Sequence, residues 1–171
     1  MTVIITKFIQ SFEFVVNKKS LQMTGELKLE EINNLLNSQS YCHIACCLKN
    51  EPYVVPLSYV YDGKFIYCQS KPGKKLDIMS INPSVCLIVE SMTAMNNWKS
   101  VICYAKFEKM NEKESIEARA LLFNRVMTLM TPESIHQFEH SKEGEIAYDN
   151  RIKDIMFRLK IEKMTGRFEM Q

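Results

Sequence analysis

The stretch YCHIACCLKNEPYVVPLSYVYDGKFIYCQSKPGKKLDIMSINP, residues 41–83, decides the fold. Over 41–48 the apolar residues Cys42, Ile44, Cys46 and Leu48 recur at every second position, the period of a strand with one buried face. Tyr41, His43, Ala45 and Cys47 take the other face. Asn50-Glu51-Pro52 is a turn, and a second strand follows over 53–61. Asp62-Gly63 marks a hairpin, because glycine tolerates the positive φ that tight turns need. Phe65 to Gln69 is the return strand. Short turns between the three strands make an antiparallel meander. Lys71-Pro72-Gly73 breaks it, and Lys74 to Ile81 reads as a short helix stopped by Asn82-Pro83.

Upstream, Leu29, Ile32, Leu35 and Leu36 fall at helical spacing and predict a helix over 28–38. Downstream, Val85 to Glu90 predicts a strand and Ser91 to Asn97 a polar loop. Trp98 to Lys109 predicts a long strand. Its Val101, Cys103, Ala105 and Phe107 alternate with Ser100, Ile102, Tyr104 and Lys106. Residues 112–130 predict the longest helix, with Ile116, Ala120, Phe123, Met127 and Met130 as its apolar stripe. Residues 133–152 are polar and irregular. Met156 to Lys163 is the last strand, with Phe157, Leu159 and Ile161 inward, and Thr165-Gly166 closes it. Strands do not alternate with long helices, which disfavours a doubly wound parallel sheet. The expected fold is mainly β with peripheral helices (α+β): a small closed or split antiparallel barrel.

One domain is expected over 23–171, preceded by an N-terminal extension, residues 1–22. Its apolar bursts, Val3–Ile5 and Phe12–Val16, are too short for a signal sequence. The reading takes Met23 as the natural start; an extra strand or arm packed on the domain is the alternative. The 171 residues are 46% apolar and 25% charged, ordinary globular usage. A net charge of +2 lacks the basic excess of a nucleic-acid-binding domain. No apolar run approaches the roughly 20 residues that cross a bilayer. Neither nucleic acid nor membrane is an expected partner. Cys42, Cys46, Cys47, Cys68, Cys86 and Cys103 lie in or beside apolar runs without a C-x-x-C pair. They read as reduced thiols of a cytoplasmic protein.

Three stretches could carry chemistry. Ser70-Lys71-Pro72-Gly73-Lys74-Lys75 opens a helix, where free N–H groups and the dipole suit a phosphate. A solvated turn is the plain alternative. In Pro52 to Tyr59, proline within a strand implies an edge or bulge, whose backbone groups could meet a planar heteroaromatic ligand. Tyr53 and Tyr59 share a face and could wall that pocket, or simply belong to an aromatic core. Trp98 and Ser100 share a strand face, suited to a barrel rim or a dimer contact. No nucleophile–base–acid set emerges, so catalytic residues stay unassigned, and His43, His136 and His140 do not make a metal site.

Together these stretches resemble a family. A helix, HIAC, PYVVPLSYVYDGKFIYCQS, GKKLDIMSINPSVCLIVE, NWKSV and FRLKIEKMTGRFE follow in the order found in pyridoxamine 5′-phosphate oxidase-related, FMN-binding split-barrel proteins. The branch that includes nitroimidazole-resistance-type flavoproteins is the most similar, over about residues 23–169. The resemblance implies a six-stranded antiparallel split β-barrel and a homodimer with FMN at each end of the interface. It implies that Ser70, Lys74 and Lys75 hold the phosphate. Val55, Pro56, Leu57 and Ser58 would line the isoalloxazine edge through their backbone, and Trp98 and Ser100 would approach from the partner. Gln69 stands where some relatives have histidine, and Lys74 and Lys99 where many have arginine. Lysine keeps the charge but not the bidentate fork. The expected function is an FMN-dependent oxidoreductase acting on a small molecule. The alternatives are a nitro-compound or flavin reductase and a non-catalytic FMN- or haem-binding protein. FMN is preferred to FAD because the turn offers one phosphate site and no dinucleotide fingerprint is present.

Overall fold

The computed structural model describes residues 23–127 and 154–171. Their elements are β1 (Met23–Glu26), α1 (Leu29–Ser38), β2 (Tyr41–Leu48), β3 (Glu51–Tyr61), β4 (Phe65–Ser70), α2 (Lys74–Ile81), β5 (Ser84–Ala94), β6 (Asn97–Lys109), α3 (Glu112–Met127) and β7 (Ile155–Met170). The strands hydrogen-bond in the order β1-β7-β4-β3-β2-β5-β6, and β6 pairs with β7 as well. Strands β2 to β7 therefore close into a six-stranded antiparallel barrel. The seventh, β1, runs beside the far end of β7, from Met23↔Met170 to Glu26↔Arg167.

Alternation decides what fills the barrel. Ile44, Ile66, Leu87, Val89, Val101, Cys103, Phe157 and Leu159 point inward and are fully buried. Each aliphatic side chain buried in this way contributes about 1.5–3 kcal/mol. Ile32, Leu35 and Leu36 bring α1 onto this core. Tyr59 joins them, its hydroxyl donating to the Leu36 carbonyl at 2.8 Å. The Asp62-Gly63 hairpin forms as read. Asp62 Oδ1 accepts from the N–H groups of Lys64 and Phe65 at 2.8 and 2.6 Å, and Gly63 has φ 95°. Burial pushes the Asp62 carboxyl up, but these bonds and one from Tyr67 hold it below its usual range.

Several sequence expectations change. The turn expected at Asn50-Glu51-Pro52 falls at Lys49-Asn50, both with positive φ, and β3 begins at Glu51. Thr165-Gly166 does not close the last strand, because β7 continues to Met170. A Cβ on Gly166 would lie 2.8 Å from Leu27 Cβ and 2.9 Å from Ile32 Cγ1. Leu27 N–H also donates to the Gly166 carbonyl at 3.0 Å. Glycine stands here for close approach within a strand and makes no turn. Ser91–Asn97 is not a loop: β5 runs to Ala94 and β6 begins at Asn97. The four residues of β1 have no apolar alternation, so only their pairing with β7 makes them a strand.

The stripe on α3 also differs. Ala118 and Leu122 are buried against Met156, while Ile116 and Phe123 face outward. Polar anchors select that side. Arg158 bonds Glu114 at 3.1 Å, and Arg119 donates to the Asp154 carbonyl at 3.1 Å. The Met127 side chain, Met130, the loop over 133–152, His136, His140 and the extension 1–22 lie outside what the structure describes.

Gly166→Ala is expected to lower stability by about 1–3 kcal/mol, since Leu27 and Ile32 must move aside. Urea denaturation checks this; an unchanged midpoint would contradict the close packing.

Candidate functional site

The pairing of β3 is uneven. It pairs with β2 from Glu51 to Ser58, but with β4 only at Tyr59, Val60 and Tyr61. Among the described residues, no strand lies beside 51–58 on the side away from β2. In an antiparallel ladder the N–H and C=O of one residue point the same way, and the direction alternates. Tyr59 N–H donates to the Ser40 carbonyl at 2.9 Å, just before β2, so odd-numbered residues face β2. Pro52, Val54, Pro56 and Ser58 face the open side. Both prolines therefore sit where the sheet asks for no N–H. Of the four candidates here, Pro56 and Ser58 present backbone to the open edge, whereas Val55 and Leu57 turn theirs to β2.

The helix α2 starts close to this edge. Gly73, with φ 155° and ψ −175°, adopts a conformation essentially restricted to glycine. Its carbonyl accepts from the N–H groups of Leu76 and Asp77. Asn82 ties the helix end to β2 by donating to the Cys47 carbonyl at 2.8 Å. Lys74 Nζ lies 5.0 Å from the Tyr53 ring centroid, a cation–π contact that joins the turn to β3. Burial raises the Cys46 and Cys68 thiols; Lys75 opposes the rise at both, and Lys74 at Cys46. Cys46 is on β2 and Cys68 on β4, so half-buried Lys75 acts on both strands that flank β3. Ser70 is the one buried polar side chain among the described residues, and its hydroxyl donates to the Lys71 carbonyl at 2.8 Å.

Ser70, Lys74 and Lys75 thus stand beside the open edge of β3. Trp98 and Ser100 do not. Cys46 pairs with Val85 and Val85 with Ala105, near α2. Trp98 lies seven residues back along β6, roughly 23 Å away at about 3.3 Å per residue. There Trp98 Nε1 donates to Glu169 at 3.1 Å, Ser100 pairs with Glu90 and Arg167, and Lys99 meets Glu31 at 3.6 Å. Tyr59, expected as a possible pocket wall, is core, because the strand carries it inside the barrel beyond the point where β4 begins to pair.

The outer face of β3, β2, β5 and β6 joins the two ends. His43 pairs with Pro56 and Ile88, and Ile88 with Ile102. Ala45 pairs with Val54 and Cys86, and Cys86 with Tyr104. Val54 and Tyr104 are 58% and 46% exposed, so an apolar surface crosses four strands. Two features escaped the sequence reading. Gln69 Nε2 donates to Asp154 Oδ2 at 3.0 Å, across 85 positions, and a cavity lies behind α2. Neither has a local signal, since their partners meet only through the fold.

A family model for pyridoxamine 5′-phosphate oxidase matches residues 28–168. The chain belongs to this family. An uncharacterized protein of Rhizobium meliloti is 29% identical over 143 residues, covering 81% of this chain and 90% of that one. Among solved structures, a FAD-binding protein of Mesorhizobium loti superposes with a TM-score of 0.66 at 24% identity, covering 88% of this chain and 99% of that one. A candidate 5-nitroimidazole antibiotic resistance protein of Bacteroides thetaiotaomicron gives 0.64 at 20%, covering 86% and 89%. The fold is that of these split-barrel proteins, as the resemblance implied. Among the described residues, no helix is long and apolar enough to cross a membrane.

Burial pushes the Cys42 and Cys103 thiols up to about 12 and Cys68 well above its usual value. All three therefore stay protonated at about pH 8 and are expected to resist a thiol-specific disulfide reagent in the folded protein. Half-buried Cys47 and Cys86 are expected to react first. Mass mapping of labelled peptides checks the order, and early labelling of Cys68 would contradict the closed barrel.

Proposed function

We propose that the protein is an FMN-binding homodimer and a flavin-dependent oxidoreductase acting on a small organic molecule. One observation carries the reading: the unpaired edge of β3 lies beside a helix start that holds two lysines. The residues fit the group. Ser70, Lys74 and Lys75 hold the phosphate, aided by the first free N–H groups of α2. The Pro56 carbonyl and the N–H and carbonyl of Ser58 line the edge of the ring system, while Val55 and Leu57 anchor that edge to β2. When bound, the flavin supplies the electron transfer. The chain orients it, neutralises its phosphate and keeps water from its edge. The FAD-binding name of the Mesorhizobium structure supports the flavin class.

A second copy completes this site. The apolar outer face runs from the α2 end to the Trp98–Ser100 end. A two-fold axis through it sets Trp98 and Ser100 of one copy against the phosphate end of the other, and covers the exposed apolar patch. Six free thiols, mostly buried, favour the reducing cytoplasm.

Titration with FMN, read by flavin fluorescence, tests the site. Lys75→Ala is expected to weaken binding about tenfold or more, the size of a charge-assisted bond of about 1.5–3 kcal/mol. Lys71→Ala, exposed before the Pro72-Gly73 break, is expected to change it little. Equal losses would place the phosphate elsewhere, and no FMN binding at all would remove the central claim.

Light scattering is expected to report twice the 20.0 kDa chain mass. A monomer at micromolar concentration contradicts the shared site. Reduction of bound flavin by NAD(P)H and reoxidation by an added acceptor is expected of an enzyme; binding without either step would mark a carrier.

A further inference from the structure

A cavity of about 300 Å³ lies between α2, the end of β6 and the start of β7. Its floor is apolar and buried: Leu76 from α2, Phe107 from β6 and Met156 from β7. Strand pairing fixes these walls. Phe107 sits opposite Leu159 of β7, and its N–H donates to the Pro83 carbonyl, just after α2, at 2.8 Å. Two opposite charges stand at the rim. Gly73, Leu76, Asp77 and Ser80 recur at three- and four-residue spacing, so one side of α2 brings Asp77 and Ser80 to the cavity. On β6, Val101, Cys103, Ala105 and Phe107 are the buried, inward residues. The same period of two gives Lys109 their direction, and it lines the cavity just past the last of them. Among the described residues, Lys109 is the one cation lining this space, and the side chains of Lys109 and Asp77 have no ion-pair or hydrogen-bond partner.

We propose that this cavity binds a small zwitterion with an apolar side chain, of the class of the apolar α-amino acids. The site is separate from the flavin site and does not depend on it. Charge selects the class. A carboxylic acid alone would gain Lys109 but bring a second negative charge to Asp77, and an amine alone would meet Lys109 in the same way. A neutral apolar molecule would take water from both charges and return no partner. A zwitterion answers both. Its carboxylate accepts from Lys109, and its ammonium donates to Asp77 and to the Ser80 hydroxyl. Its side chain then lies on Leu76, Phe107 and Met156, where apolar surface leaves water. Size agrees with this: the volume is at the small end of ligand cavities, which suits a single amino acid better than a nucleotide or a peptide.

Calorimetric titration of the full chain with L-leucine and L-phenylalanine tests this. Saturable binding of at least one of them is expected. Glycine lacks the apolar side chain. Isoamylamine and isocaproate, for leucine, and phenethylamine and hydrocinnamate, for phenylalanine, each lack one charge. All are expected to bind about tenfold or more weakly than the parent amino acid, the size of one charge-assisted bond or one buried side chain. Lys109→Met and Asp77→Asn are each expected to lower amino-acid affinity about tenfold. Both side chains are exposed, so the urea midpoints are expected to stay at the parent value and show that the variants are folded. No binding of either amino acid at millimolar concentration overturns the proposal. Single-charge analogues that bind as tightly overturn it too, as does an affinity that survives both substitutions. Each of these failures leaves the proposed flavin function as it stands.

Discussion

Backbone N–H and C=O groups must find partners, and β3 finds them on both sides for only its last three residues. Over 51–58 one side is satisfied by β2, and the other is left to whatever binds there. A sheet edge is ordinarily a hazard, and here two prolines and the twist of a closed barrel keep it from templating another strand. The same prolines thin the row of donors, so the edge offers a pattern of single polar groups and no continuous ladder. Everything proposed for the site follows from this shortfall. It leaves room for a planar ligand, and it lies where α2 brings its first turn and its lysines.

The barrel behind that edge is held by its strand pairing and its packing. Six strands close into one ring that is open only beside residues 51–58 of β3, and β7, with 16 residues, ties β4, β6 and β1 together. Gly166 lets Leu27 and Ile32 lie directly on the strand, which seals the end under α1. The thiols inside are packing groups, and the burial that makes them so raises their pKa values. Half-buried Lys75 sits at the margin of that dry region, where its charge is screened less than at the surface.

The distribution of candidates over two ends of one sheet gives the apolar outer face a meaning beyond solubility. The α2 end and the Trp98 end lie at opposite ends of that sheet. The surface that connects them carries Val54, Ile88, Ile102 and Tyr104, of which Val54 and Tyr104 are exposed. His43 stands among these residues, paired with Pro56 and Ile88, which makes it a surface residue of a strand and separates it from the buried Cys42 and Cys46.

The sequence by itself determined the meander, the hairpin at Asp62-Gly63, the helix at 74–81 and the inward residues of β2 and β6. Each rests on a local period or a local turn, which a short window contains. The motif order also indicated the family, and the Ser70 to Lys75 turn stood out from its own residue types. Tertiary structure alone decided that β7 continues through Gly166, that β1 is a strand, that Ala118 and Leu122 are the buried side of α3, and that Tyr59 is core. It also decided that Lys75 acts on both β2 and β4, that Trp98 lies far from α2, and that a cavity lies behind α2. The reason is common to all of these. Each depends on residues brought together across many positions, and a glycine or an apolar stripe carries no local mark of which neighbour will meet it.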